Sequence, residues 1–159
     1  MGSLKRKLSK RIQSNIHTLM NINWDYIALS SQADFNLAFL PEDLPWVYDY
    51  AQSLLNSDKK ELALSLLQRV GNYPYPHPCQ ADAFAHISLS ILNQAQEAHQ
   101  SRQQSLLAEA YQYLSKASTL RQSNSLTLGG WALYYYISKD YQQAADTVLT
   151  LEEGAWKNF

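Results

Sequence analysis

The sequence predicts an all-α protein made of antiparallel helical hairpins, and three observations carry that reading. Only 5 Gly and 5 Pro occur in 159 residues, and three of the prolines crowd into Tyr73-Pro74-Tyr75-Pro76-His77-Pro78. Long stretches therefore hold no backbone breaker, which suits helices and not a many-turned β fold. Apolar residues recur at helical spacing in one segment after another, as in helices with one buried face. Short polar clusters separate these segments, so consecutive helices turn back on each other.

Leu4, Leu8, Ile12 and Ile16 lie four apart, giving one apolar stripe on an N-terminal helix with cations around it. Trp24, Ile27 and Ala28 suit a short helix, and Phe35, Leu37, Phe39 and Leu40 are apolar enough to be buried. Pro41-Glu42-Asp43-Leu44-Pro45 reads as a stop and a restart. Asp43 is the N-cap, and Pro45 sits in the first turn, where its missing N–H costs nothing. Trp46, Tyr50 and Leu54 follow on one helix, which Asn56-Ser57-Asp58 breaks. Leu62, Leu66 and Val70 mark the returning helix, with Gly71 as the residue past its end. The Tyr-Pro alternation at 73–78 is extended, because each residue before a proline is pushed out of the α region.

A third helix starts near Gln80 with Phe84, Ile87 and Ile91 on one side, and 94–105 is either its continuation or a polar loop. Leu107, Ala110, Leu114 and Ala117 mark the fourth helix. Gln122-Ser123-Asn124-Ser125 interrupts, and Leu128, Trp131 and Tyr135 begin the last pair. That pair turns at Ser138-Lys139-Asp140 and returns with Ala144, Val148 and Leu151, with Gly154 beyond the helix end. A solenoid ordinarily finishes with a polar-faced capping helix, which is not evident here. Trp156 and Phe159 either fold back on the last hairpin or belong to a longer array.

The net charge of −1 hides an asymmetry. Lys5, Arg6, Lys7, Lys10 and Arg11 supply five of the thirteen basic residues, and residues 12–159 carry a net −6. An acidic body argues against a nucleic-acid-binding domain, where a high pI is expected. The five cations suit the solvated face of a docking or dimerising helix, or an anionic membrane surface beside it. No run of 18 apolar residues occurs, so no transmembrane span is expected. Ser9–Asn15 is too polar for the apolar part of a signal peptide, and a cytoplasmic location is the expectation.

Chemistry-bearing motifs are sparse. Cys79 is the single cysteine, which excludes an internal disulfide and a cysteine-based zinc cage. His77 lies two residues from Cys79, and Asp82 is the only acid nearby to orient such a pair. His86 and His99 are 13 residues apart, and His17 is distant. No Gly-rich phosphate loop, HExxH or paired-carboxylate motif appears, and Glu152-Glu153 reads as solvent-facing. The expectation is no catalytic, cofactor or metal site, and a protein that is not an enzyme.

Trp131-Ala132-x-x-Tyr135, followed by Lys139-Asp140-Tyr141-x-x-Ala144-Ala145-x-x-Val148-x-x-Leu151, resembles the tetratricopeptide repeat (TPR), a helix–turn–helix unit of 34 residues. Ala132 and Ala144 match the small residues where paired helices touch, and Trp131, Tyr135 and Tyr141 the large ones that fill the gap. The pattern departs at Lys139, where the family has Gly, and at Trp156, where it has Pro. The same frame gives Tyr50-Ala51-x-x-Leu54 with Ala63, Leu67 and Val70, and then Phe84, Ile87-Ser88 and Ile91 with Ala110, Leu114 and Ala117. The small second-helix residue thus recurs at 63, 110 and 144, spaced 47 and 34 apart. The resemblance covers about 46–153. It implies a short right-handed superhelix of about three repeats at 41–159, behind a basic amphipathic helix and an irregular helical segment at 1–40.

In TPR arrays the first helix of each hairpin lines a concave groove. Carried over residue by residue, that lining is Tyr48, Gln52 and Leu55, then Ala85, Leu89 and Leu92, then Leu133, Tyr136 and Ile137. It holds no cation to clamp a carboxylate, so the resemblance implies an apolar or amphipathic protein segment as partner. The same residues could instead pack against residues 1–40 or a second copy of the chain. The expected role is an adaptor, scaffold or chaperone, similar to the three-repeat bacterial class that holds apolar translocator proteins. The alternative is a soluble domain of a larger membrane-associated protein, acting in assembly or positioning, with Lys5, Arg6, Lys7, Lys10 and Arg11 near the membrane.

Overall fold

The computed structural model describes residues 22–121 and 124–157, all-helical apart from turns and loops. The expected N-terminal helix at 4–16, with Lys5, Arg6, Lys7, Lys10 and Arg11, lies outside the described residues, as does Phe159. The chain divides into two compact units, meeting in sequence between Gln80 and Ala81. Residues 24–39 belong to the same unit as the first hairpin.

The first unit holds α1 (Trp24–Leu29), α2 (Gln32–Ala38), a 3-10 turn (Pro41–Asp43), α3 (Leu44–Leu54) and α4 (Lys60–Gly71). Asn23 and Ser31 cap α1 and α2 by accepting the Tyr26 and Asp34 N–H groups, each at 3.1 Å. The guanidinium of Arg69 on α4 donates to the Ser30 carbonyl at 2.8 Å and to Ala28 at 3.3 Å, satisfying carbonyls at the end of α1. The core is Phe35, Phe39, Leu44, Val47, Leu66, Leu67 and Val70, all fully buried. Each such side chain contributes about 1.5–3 kcal/mol by leaving water.

Several expectations are corrected in this unit. The buried stripe of α3 is Leu44, Val47 and Ala51, one position away from Trp46, Tyr50 and Leu54, which are half-buried. Trp24 covers two of those rings, stacking on Tyr50 at 4.6 Å and meeting Trp46 at 5.3 Å. Leu37 is exposed, because it lies on the face of α2 opposite buried Phe35. Asp43 does stand at the N-cap of α3, but its carboxylate turns back to accept the Leu40 N–H at 2.8 Å. Gly71 is the last helical residue of α4 and has no positive φ, so it is not a left-handed stop.

Past α4 residues 72–78 form a loop with bends at Pro74 and Tyr75 and a turn at Pro78. The Tyr73 hydroxyl donates to the Phe39 carbonyl at 2.6 Å, and the Gln80 amide donates to the Tyr73 carbonyl at 2.7 Å. These two bonds tie the Tyr-Pro loop to the unit that precedes it.

The second unit comprises the rest of α5 (Cys79–Glu97), then α6 (Gln100–Leu120), α7 (Ser125–Ile137) and α8 (Tyr141–Lys157). The stretch 94–105 is helix interrupted only at 98–99, where the Gln103 amide donates back to the Ala95 carbonyl at 2.9 Å. Asn124 caps α7 by accepting the Thr127 N–H at 2.9 Å, and its own amide donates to the Asp82 carboxylate on α5. Gly130 lets α7 approach α6 and α5, with Leu114 and Ser88 against it. The buried residues of α7 are Thr127, Gly130 and Ile137, whereas Leu128, Trp131 and Tyr135 are half-buried. Gly154 lies inside α8 and not beyond it.

Candidate binding groove

The turn between α7 and α8 sets the geometry of the site. The Asp140 N–H donates to the Tyr135 carbonyl at 2.9 Å and the Lys139 N–H to Tyr136 at 3.1 Å, the paired closure of a Schellman motif. Lys139 accordingly adopts a left-handed conformation, φ 66°, the only positive φ among the described residues. The Asp140 side chain then accepts the Gln143 N–H at 3.2 Å, so the residue that closes α7 also starts α8. With the loop reduced to three residues, the two helices must lie side by side.

Between them runs an open groove of about 680 Å³. Its α7 wall is Ala132, Leu133 and Tyr136. Its α8 wall is Tyr141, Ala144, Ala145, Val148, Leu149 and Glu152, at spacings of three and four that keep one helix face. The alanines leave the floor open, and larger side chains stand around it. Tyr136 is 59%, Tyr141 60%, Val148 43% and Leu149 55% exposed. Tyr136 meets Tyr141 edge-on at 5.7 Å near the turn. Glu152 brings a carboxylate to a lining that is otherwise apolar or tyrosine.

The rear of α7 carries an aromatic array. Trp131 stacks on Tyr135 at 5.8 Å and meets Tyr111 of α6 edge-on at 5.3 Å, while its indole N–H donates to Ser118 Oγ at 2.8 Å. Burial, then the neighbouring Tyr111, Tyr134 and Asp140, pushes the Tyr135 hydroxyl above the ordinary tyrosine value. This array fixes the rotation of α7 about its axis and so orients Leu133 and Tyr136 towards the groove. A smaller polar cleft of about 340 Å³, lined by residues including Gln100, Gln103, Gln104 and Lys139, lies elsewhere on the same unit.

The nine residues expected to line a concave groove separate into different environments. Ala85, Leu92 and Ile137 are buried, and Ile137 also borders the smaller polar cleft. The first part of α5 is enclosed on more than one face, with Phe84, Ala85, Ile87, Ser88 and Leu92 all buried. Gln52 is exposed, Tyr48, Leu55 and Leu89 are half-buried, and Leu133 and Tyr136 alone of the nine line the α7/α8 groove. None of the nine lies on α8, whose Tyr141, Ala144, Ala145, Val148, Leu149 and Glu152 form the other wall of the groove.

The chemistry-bearing side chains are dispersed. His77 Nδ1 accepts the Cys79 backbone N–H at 3.1 Å, and Asp82 accepts from Asn124. Burial lowers the pKa of His86, an effect partly offset by Asp82. Among the described residues no three His, Cys, Asp or Glu side chains gather as a metal-binding group. No helix among them is long and apolar enough to cross a membrane.

These features define an all-α protein of paired helices with an open apolar groove between its last two described helices. No protein-family model, no curated protein and no solved structure matches the chain.

Proposed function

We propose that this chain is a protein-interaction module that binds an apolar or amphipathic protein segment in the α7/α8 groove. One observation carries the reading: Tyr136, Tyr141, Val148 and Leu149 stay exposed around a groove floored by alanines. Contiguous exposed apolar surface of this kind marks interaction sites, and tyrosines suit interfaces because they are apolar with a polar tip. The TPR-like reading draws support from Lys139, whose left-handed backbone occupies the turn position where the repeat has Gly. In this proposal the binding surface lies between the two helices of a hairpin, not along first helices alone. The function is binding and not catalysis.

Capture from a native lysate tests the reading. The immobilised full chain is compared with its Leu149→Asp, Tyr136→Ala and Tyr48→Ala variants. A partner that uses the groove is lost with the first two and kept with the third. If every captured protein survives both groove changes, the binding surface lies elsewhere.

A further inference from the structure

Resting on the groove reading above, we infer that the occupant is a cationic amphipathic helix of another protein, selected by an acidic edge along α8. Two walls of paired helices with side chains at three-and-four spacing present ridges that a third helix can match. The stripe from Tyr141 to Glu152 is about 16 Å long, enough for three turns of such a helix.

Charge decides which helix. α7 has no charged residue, and Tyr141 to Glu153 on α8 holds Asp146, Glu152 and Glu153 with no Lys or Arg. Asp146 and Glu153 lie three residues before and four after Leu149, so both flank it on the same side of α8. All three carboxylates are exposed, and Glu152 also lines the groove. The cations of the hairpin are Lys139, in the turn at the opposite end of the stripe, and Lys157, the last residue of α8, so the three carboxylates leave this helix net acidic. A helix seated here would set one flank against carboxylates two turns apart. Cations on that flank are attracted, as at the edges of coiled coils, and carboxylates meet like charge at the rim of an apolar contact. The alanine floor favours medium aliphatic side chains on the stripe that enters it.

The probes are two labelled synthetic helices about five turns long, sharing one Leu/Ala stripe, with Lys on the flanks of one and Glu on the other. Each is titrated onto the full chain by fluorescence anisotropy, and the free chain is sized by sedimentation. The Lys helix binds at least about tenfold more tightly than the Glu helix, and the gap narrows between about 0.05 and about 0.5 M salt. Combining Asp146→Asn, Glu152→Gln and Glu153→Gln brings the two probes to parity, with the helical circular dichroism unchanged. Leu149→Asp, at an exposed position, removes both. Equal binding of the two probes by the unaltered chain overturns the charge selection and leaves the groove reading standing. Binding of neither probe by the folded chain overturns both. A self-associated chain that Leu149→Asp converts to monomer also overturns the inference, because the groove is then covered by a second copy.

Discussion

Gly130 of α7 packs so close to Leu114 of α6 that a methyl group on its Cα would lie 2.6 Å from Leu114 Cδ2. Its neighbour Gly129 has nothing within 4 Å of the same position. The two glycines are therefore expected to respond oppositely to alanine. Gly129→Ala gains helix propensity without a clash and stabilises by about 0.5–1 kcal/mol. Gly130→Ala gains the same propensity but displaces a fully buried leucine, and overpacking of that kind costs about 1–3 kcal/mol. Urea midpoints of the two variants check the sign of each.

Lys139 carries the cost of a left-handed backbone at φ 66°. That cost is about 1–2 kcal/mol for an L-residue, against about 0.5–1 kcal/mol of entropy that glycine loses on folding. Lys139→Gly is expected to raise stability by about 0.5–1 kcal/mol and to leave the helical signal unchanged. A loss of stability would show that the lysine side chain contributes a contact outweighing the backbone term.

Tyr73 makes stability depend on alkaline pH. Burial, with Asp43, Tyr75 and Glu42 adding to it, raises its hydroxyl from 10.0 to about 12. Below pH 10.0 the hydroxyl is protonated in folded and unfolded chains alike, and its contribution is fully present. As pH rises from 10.0 to about 12 the unfolded chain gives up the proton first, so stability falls across that window. The loss amounts to about 2–3 kcal/mol. Tyr73→Phe is expected to flatten this slope, at a cost near neutral pH because the Phe39 carbonyl loses its donor. Denaturation midpoints at neutral pH and at several points in the alkaline window separate the two effects.

Asn124 joins two helix starts through one side chain, accepting from Thr127 and donating to Asp82. Asn124→Ala removes the cap and is expected to cost about 1–2 kcal/mol. Asn124→Asp keeps a cap acceptor but turns a second carboxylate towards Asp82, so it too is destabilising at neutral pH. Urea midpoints of the two variants against the unaltered chain measure both losses.

Leu149 is expected to matter more for binding than for folding. At 55% exposure its replacement by Asp opens no cavity in the core and costs about 1–2 kcal/mol, from lower helix propensity and from the neighbouring Asp146, Glu152 and Glu153. A large drop in thermal midpoint would make Leu149 part of the fold instead.

Periodicity and breakers determined by themselves that this chain is helical, and roughly where its helices turn. The scarcity of Gly and Pro, the prolines at 74–78 and the polar clusters at 56–58 and 138–140 act locally, through backbone sterics and hydrogen bonding, so they can be read without a fold. Tertiary structure alone decided the rotation of each helix. On α3 and α7 the large rings at 46, 50, 131 and 135 drew the apolar face towards themselves, yet Val47, Ala51, Thr127 and Gly130 are the residues inside. Close helix contact selects small and β-branched side chains, while a large ring packs at the edge with its polar tip towards water or a neighbour. The groove was illegible for the same reason: nothing local distinguishes a stripe that meets another helix from one left uncovered. Only the three-residue turn, which lays α8 along α7, sets Val148 and Leu149 facing outwards around a floor of alanines.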